Sequence, residues 1–159
     1  MPEETPTNED APLYFEDLHV GLRFSTAPHA LDEAQIKEFA AQVDPQPFHL
    51  DDEAAKGTFF QGLAASGWHT AGITMRLLVQ SGARIAGGLI GAGAEINWPK
   101  PTRPGDVLHV ESEVMEMRTL RSRPDLGMVT MRNETRNQHG DVLQVLTSKL
   151  VVPRRLPDA

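Results

Sequence analysis

The sequence predicts an α+β domain: one long buried helix, then an antiparallel sheet that curls over it. Three observations point there. The stretch GWHTAGITMRLLVQSG, residues 67–82, spreads apolar side chains around most of a helix circumference, the mark of a helix buried nearly all round. Four long runs with strand character follow it: GLIGAGAEINW, DVLHVESEVMEM, GMVTMRNETRN and DVLQVLTSKLVV. Short turn-forming stretches separate these runs, and short connections make neighbouring strands antiparallel.

The elements can be justified in chain order. The first eleven residues, MPEETPTNEDA, are acidic and proline-bearing. They lack the positive start and apolar run of a secretion signal, so a disordered tail is expected over 1–12. LRFSTAPHA, residues 22–30, suits a short strand, placed at an edge by Pro28. In LDEAQIKEFAAQV, Asp32 and Gln35 resemble a capping box. Ile36, Phe39, Ala40 and Val43 then fall on one buried helix face. Pro45 and Pro47 disfavour helical backbone at Asp44 and Gln46, so Asp44 through His49 is expected to be extended and stiff. DDEAAKG suits a short helix with Gly57 as its exit. In the long helix, Ser66 is the candidate cap, and Gly72 implies a backbone packed closely against it. Gly87, Gly88, Gly91 and Gly93 are read as small residues where a strand passes the helix, since no Gly-Lys-Ser/Thr follows them. In the second strand run Leu108, Val110 and Val114 alternate with His109, Glu111 and Glu113, as in a half-buried strand. Arg103–Asp106, RPGD, suits a type II turn, and SRPDLG and NQHGD are the other connectors. The folded domain is expected over 13–153, with a short frayed end at 154–159. A single sheet over a single helix leaves an edge and apolar surface to cover, which a homodimer would do.

Bulk properties narrow the function. A chain of 159 residues suits one domain. A net charge of −7 argues against a broad nucleic-acid surface. The absence of cysteine removes disulfides, thiolate nucleophiles and cysteine-bound zinc, and a cytoplasmic setting is expected. No apolar run is long enough to span a membrane.

The candidate chemistry centres on DPQPFHLD, Asp44–Asp51. An imidazole can take a proton near neutral pH, and a carboxylate can orient it or act as a second proton carrier. On spacing alone, a capping Asp44 and a solvated His49 are the plainer reading. His49 and Asp51 as metal ligands would need a third partner, and the other histidines, at 19, 29, 69, 109 and 139, are scattered; no metal is expected. Ser66, Gly67 and the amides after them open a helix, whose free N–H groups and dipole can meet a carbonyl oxygen. Simple capping is the plainer use of Ser66, and without G-x-S-x-G around it Ser66 is not read as a nucleophile. Lys100 and Arg103 flank a proline turn, either as solvated charges or as partners of ligand phosphates.

Several pieces, taken in order, resemble one family. They are D-P-Q-P-F-H-L-D at 44–51, F-F-Q-G-L-A-A-S-G-W-H-T at 59–70, and G-A-G-A-E-I-N-W-P-K-P-T-R-P-G-D at 91–106. Together they resemble the MaoC-like dehydratases, the (R)-specific enoyl-CoA hydratases of the hotdog fold. That resemblance implies a dimer of hotdog domains and an acyl-CoA or acyl-carrier-protein thioester as substrate. CoA or phosphopantetheine would come with the substrate, with no separate cofactor. It implies Asp44 and His49 as the catalytic pair for syn hydration of a trans-2-enoyl thioester to the (R)-3-hydroxyacyl product. It implies the backbone amide of Thr70, after His69, as the oxyanion-hole donor. Gln46, Ser66, Gly67, Trp68, His69, Lys100 and Arg103 are the expected substrate-binding residues. The chain departs from the family at Gln46, where the pattern has Asn, at Thr70, where it has Gly, and at Met75, where some hydratases carry Ser. A hotdog acyl-CoA thioesterase and a non-catalytic thioester-binding subunit are the alternatives.

Overall fold

The computed structural model describes residues 11–155; the parts of the two expected tails at 1–10 and 156–159 lie outside them. A single 3₁₀ turn, Phe15–Asp17, leads into strands β1 (Arg23–Ser25) and β2 (His29–Ala30). Helices α1 (Glu33–Val43), α2 (Pro47–Leu50), α3 (Asp52–Lys56) and α4 (Gly67–Ser81) follow, then strands β3 (Gly91–Asn97), β4 (Val107–Thr119), β5 (Leu126–Arg136) and β6 (Val142–Pro153). The six-stranded sheet is antiparallel, in the order β1-β4-β5-β6-β3, with β2 also pairing β4. The RPGD turn forms as expected: Gly105 takes φ +87° and the amide of Asp106 donates to Arg103 O at 3.1 Å.

Alternation explains the sheet. Leu108, Val110 and Val114 of β4 are fully buried. Leu108 and Val110 pack with Ile73, Leu77 and Leu78 of α4 in one cluster, and Val114 packs with Val129, Met131 and Val152 in a second. Helix α1 starts at Asp32, whose carboxylate accepts from Gln35 N at 2.8 Å. The reciprocal half of the expected capping box is absent, because the Gln35 side chain pairs with His29 Nε2 instead. Ile36 and Ala40 are buried, but Val43 is exposed, since α1 ends there and turns away from the core.

Several expectations are corrected by geometry. Segment 44–49 is extended only as far as Gln46; Pro47–Leu50 forms a helical turn. Proline restricts the residue before it, while its own φ suits the first position of a helix, so Pro47 starts α2 and His49 is helical. Helix α4 is buried on one face only. Trp68, Met75 and Val79 are 58%, 41% and 63% exposed, and they lie with Gly72 on one stripe. A Cβ added at Gly72, Gly91 or Gly93 would meet nothing within 4 Å, so no backbone crowds these glycines. The chain end is also firmer than expected at Arg154 and Arg155, which pair with Glu16 and Asp17 at 3.1 and 2.6 Å.

A buried polar relay ties α4 to β5 and β6. The Thr74 hydroxyl donates to Thr70 O at 2.8 Å and accepts from Gln144 Nε2 at 3.0 Å. Its remaining lone pair faces the Thr135 hydroxyl at 2.6 Å. One donor and two lone pairs are all a hydroxyl has, so Thr135 is the donor in that last bond. Gln144 Oε1 in turn accepts from the Trp98 indole at 2.9 Å. Thr74→Val keeps the shape but leaves the Gln144 amide and the Thr135 hydroxyl each short of a partner. Urea unfolding of that variant should show a loss of about 1–3 kcal/mol.

Candidate active site

The site forms where three chain segments meet. Asp44 closes α1: its amide donates to Ala40 O at 2.9 Å, and its backbone then leaves the helix. Pro47 launches α2, which carries His49 back toward that end. Ser66 caps α4. These placements bring Asp44 Oδ2 within 3.2 Å of His49 Nε2. The side chains of Asp44 and His49 are 16% and 5% exposed.

Each partner is held from its far side. His49 Nδ1 lies 2.6 Å from Ala64 O. A carbonyl only accepts, so Nδ1 carries the proton and Nε2 is the nitrogen turned to Asp44. Phe48 packs edge-on to the imidazole at 4.5 Å, and Phe60 lies 5.9 Å away. Asp44 Oδ2 accepts from the Ser66 hydroxyl at 2.7 Å, and Oδ1 from the Gln46 amide at 2.6 Å. Burial on its own would raise the Asp44 carboxyl, but the Gln46 and Ser66 donors, and the neighbouring imidazole when it is protonated, hold it below the usual carboxylate range. Nε2 and the carboxylate are both acceptors when the ring is neutral. Facing each other, they suit a molecule that donates to both, as water does.

A cleft of about 290 Å³ opens on this pair, walled by Gly67, Trp68, Thr70, Trp98 and Lys100 among others. The start of α4 shapes it. Ser66 is fully buried, and its Oγ also accepts from Trp68 N at 3.3 Å. The amides of His69 and Thr70 both donate to Ser66 O, at 2.9 and 3.1 Å. The amide of Thr70, the expected oxyanion donor, is thus engaged: four residues past the cap, it already belongs to the helix ladder. Among the described residues, the first-turn amide with no partner is that of Gly67, at the first helical position. A Cβ on Gly67 would sit 2.6 Å from the Trp98 indole, so only glycine lets that ring lie against the helix start.

The remaining expected residues divide. Gln46 and Trp68 line the cleft, and Trp68 packs edge-on to Trp98 at 5.5 Å. Lys100 lines it too, with Nζ 3.1 Å from Asp141. His69 does not join them. It stacks on Phe39 at 4.4 Å and faces a separate cleft with His29 and Arg76. Burial first, and His29 second, lower its pKa. Arg103 turns inward, and its guanidinium donates to three backbone carbonyls. Two features were missed at the level of sequence: the Ser66–Asp44 bond and the Ala64 carbonyl behind His49. Both are contacts across loops, for which spacing gives no signal. Among the described residues no three His, Asp or Glu side chains converge as a metal site requires, and no helix is long and apolar enough to cross a membrane.

Comparison with known proteins agrees with this architecture. The family profile described as MaoC like domain matches residues 17–137. A MaoC-like dehydratase of Rhodospirillum rubrum, known from its crystal structure, is 58% identical, with a TM-score of 0.89 over 91% of this chain and 99% of that one. The uncharacterised protein YdeM of Bacillus subtilis is 33% identical over 79% of this chain and 89% of its own. The 3-hydroxybutyryl-CoA dehydratase of Methylorubrum extorquens is 34% identical over 72% of each chain. The chain thus belongs to the MaoC-like dehydratase family and has its hotdog fold.

Proposed function

We propose that the protein is a hydro-lyase that reversibly hydrates a trans-2-enoyl-CoA, or a related acyl thioester, to the (R)-3-hydroxyacyl thioester. The observation that carries this reading is the 3.2 Å approach of Asp44 Oδ2 and His49 Nε2, with the other imidazole nitrogen engaged by Ala64 O. A water held between the two bases adds its oxygen to the β-carbon. One base takes a proton from that water as its oxygen adds, and that same proton then passes from the pair to the α-carbon. Both act from the same side, so addition is syn. Negative charge builds on the thioester oxygen meanwhile, and the Gly67 amide at the positive end of α4 meets it. CoA or phosphopantetheine belongs to the substrate, and Lys100, which lines the cleft, is the cation offered to its phosphates. The relationship to a 3-hydroxybutyryl-CoA dehydratase supports this substrate class.

The acyl chain has a place to go. Gly67 to Met75 along α4 covers about 12 Å and leads to an apolar pocket of about 330 Å³ lined by Met75, Leu78, Leu89, Met131, Leu146 and Leu150. This groove lies beside the exposed stripe of α4 and beside β3, which ends the sheet with one edge unpaired among the described residues. A second copy of the chain would cover that edge together with Trp68, Val79 and Ile90. Gly72, Gly91 and Gly93, open in a single chain, would then allow close approach.

Three outcomes are expected. Absorbance of crotonyl-CoA should fall on adding the protein without release of free thiol; thiol release would make it a thioesterase, and tight CoA binding without turnover a binding subunit. Asp44→Asn and His49→Ala should each lower that rate by about 10²–10⁴-fold while the circular dichroism spectrum is kept. Near-normal rates in both would sink the assignment. Second, ¹³C titration of the Asp44 carboxyl should move to higher pH in Gln46→Leu or Ser66→Ala. Removing a donor destabilises the ionised form, so protonation then begins at a less acid pH. Third, light scattering should give a dimer for the native chain and a shift toward monomer for Val79→Glu; a native monomer would refute the interface.

A further inference from the structure

We infer that Arg103 is a positioning residue for His49, acting through the backbone of residues 60–64 and touching neither substrate nor the reacting atoms. The proposal rests on the part given to His49 above. Arg103 Nη1 donates to Gly62 O at 3.0 Å and to Leu63 O at 3.2 Å, and Nη2 donates to Phe60 O at 2.5 Å. The next residue, Ala64, supplies the carbonyl that receives His49 Nδ1–H. Ala64 N also donates to Phe48 O at 3.1 Å, and Ala65 N to Thr102 O at 2.9 Å. The segment is thus stitched alternately to α2 on one side and to residues 102–103 on the other. Phe60, whose carbonyl Arg103 holds, packs on Phe48 at 5.1 Å and lies beside His49.

Two further observations place the restraint at Arg103. Gln61 sits at φ +55°, a left-handed conformation unfavourable for a residue with a side chain. Such a residue persists where its surroundings over-determine it, and it lies within the three carbonyls that the guanidinium gathers. Arg103 is itself fixed, since its amide donates to Asp106 Oδ2 at 2.8 Å inside the RPGD turn. Gathering three carbonyls needs a planar fork with several donors in fixed directions. Lysine has the charge but lacks the fork.

The test reads the imidazole directly, so it stands whether or not hydration is the reaction. Two-bond ¹H–¹⁵N spectra of the neutral ring should show a single Nδ1–H tautomer for His49 in the native protein. In Arg103→Gln both tautomers should appear, with Arg103→Lys between the two. With crotonyl-CoA, kcat should fall about a hundredfold in Arg103→Gln, as expected when a reacting group is misplaced by a change away from the chemistry, and KM should change little. Three results would overturn the inference. One is an unchanged tautomer with unchanged kcat. Another is an unchanged tautomer with a raised KM, which would make Arg103 a substrate contact. The third is unfolding of every variant including Arg103→Lys, which would make it a residue of the fold alone. A tautomer shift in a protein that does not hydrate crotonyl-CoA would uphold the positioning role and refute the proposed reaction instead.

Discussion

A single buried hydroxyl ties the site together. Ser66 Oγ donates to the carboxylate that ends α1 and accepts from the Trp68 amide in the first turn of α4. A hydroxyl can do both because it carries one proton and two lone pairs. The consequence is mechanical. The end of one helix and the start of another are locked together beside the cleft, so Asp44 and the Gly67 amide keep a fixed relation. Alanine at 66 would remove a cap and loosen a carboxylate together. Aspartate, another good cap, would set a second negative charge against Asp44.

The second organising element is the relay through Thr74. It joins the middle of α4 to β5 and β6, and through Gln144 it fixes the Trp98 indole. That indole lies against Gly67. The wall of the cleft is therefore set from the sheet side as the Asp44–His49 pair is set from the helix side. With every valence of the Thr74 hydroxyl filled, rotating α4 about its axis would break several buried bonds at once, each costly to leave unmade.

Much of this was legible in the sequence because it is periodic. The alternation of Leu108, Val110 and Val114, the face of Ile36 and Ala40, and the Pro-Gly turn at 104–105 are local signals and led to the right elements. The pairing of Asp44 with His49 was legible only as a motif. What failed was non-local or finer than a pattern. The two prolines were read as excluding helix throughout 44–49, yet the restriction falls on the residue before each proline, and Pro47 begins α2. The amide of Thr70, expected from the order of a motif to meet a carbonyl, is engaged in the helix ladder, and that of Gly67 has no partner among the described residues. The apolar girth of α4 was read as complete burial, but Trp68, Met75 and Val79 face outward in a single chain. A sequence states how apolar a face is, not which molecule covers it.

The meeting of the chain's two described ends has a practical side. Arg155 lies over the Tyr14 ring at 4.8 Å while pairing with Asp17, and Arg154 reaches both Glu16 and Phe15. The last strand and the first turn are neighbours, so a short linker could join them, and the chain could be reopened at the exposed connector between β4 and β5. Such a circular permutant would leave residues 44–102 continuous, and with them the Asp44–His49 pair, the helix cap and the Trp98 wall. The order in which the sheet is made would change, and the order in which the site is assembled would not.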